Sequence, residues 1–337
     1  MKNESKDAAR PIVKLHQRVG QEETETMKKS SKLYLAAAVC IGAGIVFTAG
    51  GIMAGGWPGV AVNSHGIRML GDKREEYVLE KTKLSDFTSA DIHLRYGEFA
   101  VIPSDDYYLE YCLSGDGREP EYEIKDGTFV FEEEPAASEG FQIMSFGVSD
   151  MRRSHYMNLY VPKDVYFENF DLNHEYGDAQ AENLQGTSIK LNLDYGDLHA
   201  GTIQGEQVEL DLTYGKMDAD EITGSQKLEI SMDYGDLKVQ TLEGENLNIE
   251  DKSGDVTIGE LILKKHGRIS LDYGSAKMCL SGMLEEFTLN LNTDYGEIHV
   301  PGTGRFEQET DEQSFYQEGT GNKSLTVSCS SGDITIS

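Results

Sequence analysis

The chain has 337 residues, 30 basic and 59 acidic, for a formal net charge of −29. This balance argues against nucleic acid as a partner, because phosphate binding needs a positive face. Of the four cysteines, Cys40 falls in an apolar run, while Cys112, Cys279 and Cys329 are odd in number and match no zinc spacing, so neither a disulfide framework nor a zinc site is implied.

Residues 1–32 form a polar tail with 8 basic and 5 acidic residues. Residues 33–57, from Leu33 to Trp57, carry no charge. As a helix this run would be about 37 Å long, enough to cross a bilayer. A cleaved signal peptide competes with that reading, but the apolar run is long and the preceding tail large for one. A lipidated Cys40 would lack the usual residues before it. Lys28, Lys29 and Lys32 abut the run and place the N-terminus in the cytoplasm. Gly51 and Gly55 have the spacing of a helix-dimer motif, so a homodimer through this segment is one expectation. The tail holds 8 basic and 5 acidic residues and the apolar run none, so 22 basic and 54 acidic residues lie beyond Trp57. The part outside the membrane is therefore strongly acidic. It would attract cationic peptides or divalent ions, although acidic surfaces also simply keep repeats soluble.

Residues 58–83 read as a juxtamembrane linker, and residues 84–337 as an extracytoplasmic repeat domain. Short alternating runs such as Ile92 to Tyr96, Tyr107 to Tyr111 and Phe129 to Phe131 predict strands that begin and cap the repeats. An acidic insertion follows from Glu132 to Ser154. A tyrosine-glycine pair then recurs at Tyr176-Gly177, Tyr195-Gly196, Tyr214-Gly215, Tyr234-Gly235, Tyr273-Gly274 and Tyr295-Gly296, with Ser253-Gly254 filling the gap. Successive glycines are 19 to 22 residues apart, the period of a stacked-repeat protein. Before each glycine apolar residues alternate, as at Ile189, Leu191 and Leu193. After it they alternate again, as at Leu198 and Ala200. Two strands per unit, a corner at Tyr-Gly and a second corner at motifs such as Leu184-Gln185-Gly186 predict an all-β parallel β-solenoid (β-helix) with coils of about 19–20 residues. Handedness is not readable from sequence; right-handed coils are the commoner kind and are expected. A leucine-rich repeat shares the period but needs a helical return. The final coil is predicted around Ser331-Gly332-Asp333.

These units resemble the "putative adhesin" β-strand-repeat family of bacterial cell-envelope proteins, in which Ser-Gly-Asp corners recur behind a membrane anchor. Ser253-Gly254-Asp255 and Ser331-Gly332-Asp333 keep that form; elsewhere Tyr replaces Ser, and Lys216, Ser275 and Glu297 replace Asp. The resemblance covers about residues 84–337. It implies a solenoid and an adhesin-like or envelope-stress role, and carries over no catalytic residues.

Two columns are candidate sites. Stacked tyrosines could hold glycans or flat ligands, but their parity predicts a structural ladder buried between coils. Asp178, Asp197, Asp236 and Asp255 could hold calcium or could cap local turns. No catalytic motif occurs, and Arg268 is the only arginine from Phe167 to Val300. The expectation is a non-enzymatic, cofactor-free, single-pass membrane protein whose ectodomain binds an unidentified protein or envelope polymer. An envelope-stress sensor acting with a membrane partner is the alternative, and a polysaccharide-acting enzyme the third reading.

Overall fold

The computed structural model describes residues 60–63, 66–69, 75–115, 119–133 and 155–337. The tail, the apolar run with Cys40 and its paired glycines, part of the linker and most of the acidic insertion lie outside the described residues. Among the described residues no helix is long and apolar enough to cross a membrane. A short hairpin, β1 (Val60–Asn63) with β2 (Gly66–Met69), forms one unit.

The repeat unit starts earlier than the sequence suggests. Within the expected linker, β3 (Glu75–Lys83) is a strand that pairs antiparallel with β6 (Tyr108–Gly115). Its sequence, EEYVLEKTK, is too charged to display an apolar face, yet Tyr77 and Leu79 pack on the core. Between them lie β4 (Ser89–Tyr96) and β5 (Glu98–Ser104), and after them β7 (Glu121–Lys125), β8 (Thr128–Glu132) and β9 (Tyr156–Pro162).

The regular coils follow as β10 (Phe167–Tyr176), β11 (Ala179–Tyr195), β12 (Leu198–Tyr214), β13 (Met217–Tyr234), β14 (Leu237–Ser253) and β15 (Val256–Tyr273). Each pairs in parallel with the next, and equivalent residues fall in register. One inward column runs Ile92, Leu172, Leu191, Leu210, Ile230, Ile249 and Ile269. Beyond the corner another runs Val101, Ala181, Ala200, Ala219, Val239 and Ile258. Buried residues of both halves belong to one hydrophobic core, so burial of aliphatic side chains supplies the main driving force, about 25 cal/mol per Å² removed from water.

The expected second corner is not a break. Each strand continues through Gly186, Gly205, Gly224 or Gly244, and the positive-φ glycines do not include these four. The register slips there instead: Gly205 opposes Gly224, but Gln207 opposes Lys227. The bulge absorbs the extra residue of a 20-residue unit, so that the Tyr-Gly corners stay aligned.

The C-terminal region departs from chain order. After β16 (Ala276–Leu280) and a single 3-10 turn come β17 (Phe287–Tyr295), β18 (Ile298–His299), β19 (Arg305–Glu309), β20 (Glu312–Gln317), β21 (Lys323–Ser331) and β22 (Ile334–Ile336). Strand β21 lies between β15 and β17, and β22 between β16 and β18. The last coil of the chain is thus the penultimate coil of the stack. Antiparallel strands cover both ends: β20 borders β17, β7 borders β8, and β6 borders β9. This arrangement protects edges that would otherwise pair with another chain.

Candidate functional site, the tyrosine-glycine corner

The corner is built on close backbone approach. A Cβ placed on Gly196 would lie 1.9 Å from the carbonyl oxygen of Gly177, and one on Gly235 would lie 1.7 Å from that of Gly215. The same contact links Gly177, Gly254, Gly274, Gly332 and Gly296 to a glycine of the adjoining coil. No side chain fits, because consecutive coils touch through their glycine backbones. At Gly235, φ is also +149°, which a residue with a Cβ rarely adopts.

The tyrosines before these glycines form a stack. Ring centroids are 5.1 Å apart for Tyr96–Tyr176, 5.0 Å for Tyr176–Tyr195, 4.9 Å for Tyr195–Tyr214 and 5.0 Å for Tyr214–Tyr234, with planes within 9° of parallel. The expectation that these rings are buried needs correction: Tyr214 is 42% exposed. The alternation that holds to Leu193 fails at the corner, where Asp194 and Tyr195 both face outward. The chain is already turning toward the glycine, and the ring projects from the edge. Tyr273 and Tyr295 lie in the same edge column, but neither touches another ring among the described residues.

The aspartates after the glycines are engaged with backbone. Asp178 Oδ1 accepts the N–H of Asp197 at 2.9 Å, and Asp197 Oδ1 that of Lys216 at 2.8 Å. Asp236 Oδ1 accepts the N–H of Asp255 at 3.3 Å, and Asp255 Oδ1 that of Ser275 at 2.8 Å. Each carboxylate thus joins one coil to the next. At the break in the column, the Lys216 ammonium lies 3.1 Å from Asp236 and helps hold its carboxyl below the usual range. Among the described residues no group of three or more His, Cys, Asp or Glu is placed to hold a metal ion.

Two ionisable groups lie beneath the corner, in a column otherwise filled by residues such as Leu94, Leu193, Leu212, Met232 and Leu271. His174 is 3% exposed with both ring nitrogens lacking a hydrogen-bond partner, and burial lowers its pKa. Asp251 accepts the Ser253 N–H through Oδ1 at 2.9 Å, whereas its buried Oδ2 has no partner; burial pushes its pKa up to about 6. In the same column Thr293 donates to the Gly332 carbonyl at 2.9 Å, and the buried Cys329 thiol to that of Gly274 at 3.0 Å. Aligning the units on glycine would have revealed all four as polar departures from a core position.

A cleft of about 200 Å³ lies beside the first coils, lined by residues including Arg95, Glu133, His174, Glu175 and Asp194. Arg95, Glu133 and Glu175 are already engaged within the protein. Arg95 Nε donates to Glu175 at 3.2 Å, its guanidinium carbon lies 5.2 Å from the Tyr96 ring centroid, and Glu133 accepts the backbone N–H groups of Arg95 and Tyr96.

Residues 85–337 match the family described as Toastrack DUF4097. The chain belongs to that family. No curated protein matches the chain. Several solved structures do, each at 12% identity. A "putative cell adhesion protein" from Clostridium sporogenes covers 78% of this chain and 99% of its own, with a TM-score of 0.22. A "putative adhesin" from Bacteroides fragilis covers 79% and 98%, with a TM-score of 0.37. A "putative lipid binding protein" from Parabacteroides distasonis covers 78% and 97%, with a TM-score of 0.34. With scores this low, the assignment rests on the Toastrack match and the strand register.

Proposed function

We propose that this Toastrack protein is a non-enzymatic binding or scaffolding module of the cell envelope, held by Leu33 to Trp57 with its N-terminus in the cytoplasm and its acidic repeats outside. The observation that carries the binding role is the corner edge. A row of half-exposed tyrosines runs between residues such as Asp194 and Asp272 on one side and Asp197 and Asp255 on the other. Such an edge offers a long, rigid surface to a cationic partner. In the alternative reading the same surface senses envelope damage for a membrane partner.

The test is titration of a lysine-rich peptide into the full-length chain at low and at physiological salt. Affinity should fall steeply as the Debye length shrinks to about 8 Å. No binding at low salt would refute the cationic partner. For the topology, protease added to intact cells should remove the repeats and spare the tail; survival of the repeats would refute the orientation.

A further inference from the structure

The tyrosine stack is continuous only from Tyr96 to Tyr234. Beyond it the edge column continues as Ser253, Tyr273, Ser331 and Tyr295. Each serine stands where a ring would otherwise be. Tyr273 and Tyr295 therefore sit two coil steps apart, roughly 10 Å, with only the small Ser331 between them. Tyr273 is 66% exposed and Tyr295 65%, against 42% for Tyr214 inside the stack. The extra exposure reflects ring faces that no neighbour covers.

We propose that the gap above Ser331, walled by Tyr273 and Tyr295, is a binding slot for one planar cation, the guanidinium of an arginine side chain in a basic peptide. The inference rests on the reading of this edge as a surface for cationic partners and specifies what it recognises. A flat group midway would lie about 5 Å from each ring, the spacing of the continuous stack and within the roughly 6 Å reach of a cation–π contact.

Charge selects a cation. Asp272 and Asp294 immediately precede the two wall tyrosines, and Asp333 and Glu297 follow the corner. The neighbouring gap at Ser253 differs. There Lys252 of the chain itself pairs with Asp233 at 2.5 Å, whereas Ser330 occupies the corresponding position beside Ser331. At the other end of the stack the protein pairs a guanidinium with one ladder ring and one neighbouring carboxylate. Arg95 lies against the Tyr96 ring while bonded to Glu175, the residue before the next tyrosine. A guanidinium above Ser331 would have a ring on each side, with Asp272 and Asp294 beside it, whereas Arg95 meets a single ring because Tyr96 and Tyr176 stack directly on each other at 5.1 Å. Guanidinium is flat and weakly hydrated, and ammonium is neither, so the slot discriminates between them.

The test is isothermal titration of the full-length chain with two peptides of equal length and charge, one carrying arginines and one lysines. The arginine peptide should bind at least about fivefold more tightly. Ser331→Tyr completes the column and should abolish that preference; Tyr295→Leu, which removes one wall, should abolish it as well. Ser253→Tyr should leave the preference intact. Equal affinity of the two peptides for the unaltered chain would overturn the slot while leaving the electrostatic binding role standing. Failure of both peptides to bind would overturn both. A preference that survives Ser331→Tyr and Tyr295→Leu would also overturn the slot.

Discussion

Gly235 shows how one atom decides the corner. Gly235→Ala would place a methyl 1.7 Å from the Gly215 carbonyl at φ +149°, so two coils must separate. It should cost about 3 kcal/mol or more. Gly244→Ala, whose new methyl would meet Leu247 at 3.4 Å, should cost less than about 1 kcal/mol. Equal urea midpoints for the two variants would refute the close-approach argument. The buried ionisable pair gives opposite pH signatures. Asp251 retains its proton in the fold to about pH 6, whereas an unfolded carboxyl loses it near 3.9. Its ionisation therefore withdraws stability as pH rises from about 4 through 6, on the order of 2–3 kcal/mol in total. Burial lowers the His174 pKa, so the fold takes up that proton less readily than the unfolded chain, whose imidazole charges below about 6.5, and stability falls as pH drops. Asp251→Leu should raise the melting temperature more at pH 8 than at pH 4.5, and His174→Leu more at pH 5 than at pH 8. Parallel shifts at all pH values would refute both assignments.

At the scale of the element, the hairpin β19–β20 is the clearest protective device. Strand β20 pairs with β17 from Leu289 to Thr293 and places the buried Phe315 opposite Leu291. Deletion of residues 303–318 should expose the β17 edge and cause self-association that grows with concentration in sedimentation velocity. A variant that stays monomeric would show that β17 needs no cover. This hairpin is not legible in the sequence, because β19 is exposed throughout and displays no apolar parity. The regular coils were legible because each strand buries one face, so that an alternation such as Val208, Leu210 and Leu212 repeats in register from coil to coil. The same parity misplaced the tyrosines, since alternation describes a straight strand and the corner is not straight. The role of Asp197 was legible only as one of two options, because a carboxylate that bonds the next coil and one that binds calcium look alike in a sequence.

At the scale of the whole molecule, the order of coils in space differs from their order in the chain. A linear repeat protein loses stability from its end, because each unit depends only on its neighbours. Here residues 323–336 fill an interior place between β15 and β17. Truncation after Gly321 would remove that coil and leave β17 without its parallel partner, held only by the antiparallel β20. The inward residues Leu289 and Leu291 would lose Leu325 and Val327, which oppose them in register. Amides of β17 and β18 should then exchange rapidly with deuterium, while those of β12 and β13, several coils away, should keep their protection. Full protection of β17 in the truncated chain would mean that it docks directly on β15. The interior coil would then be a replaceable spacer, and Tyr295 would stack on Tyr273 as the other ladder tyrosines do, closing the gap that Ser331 now holds open.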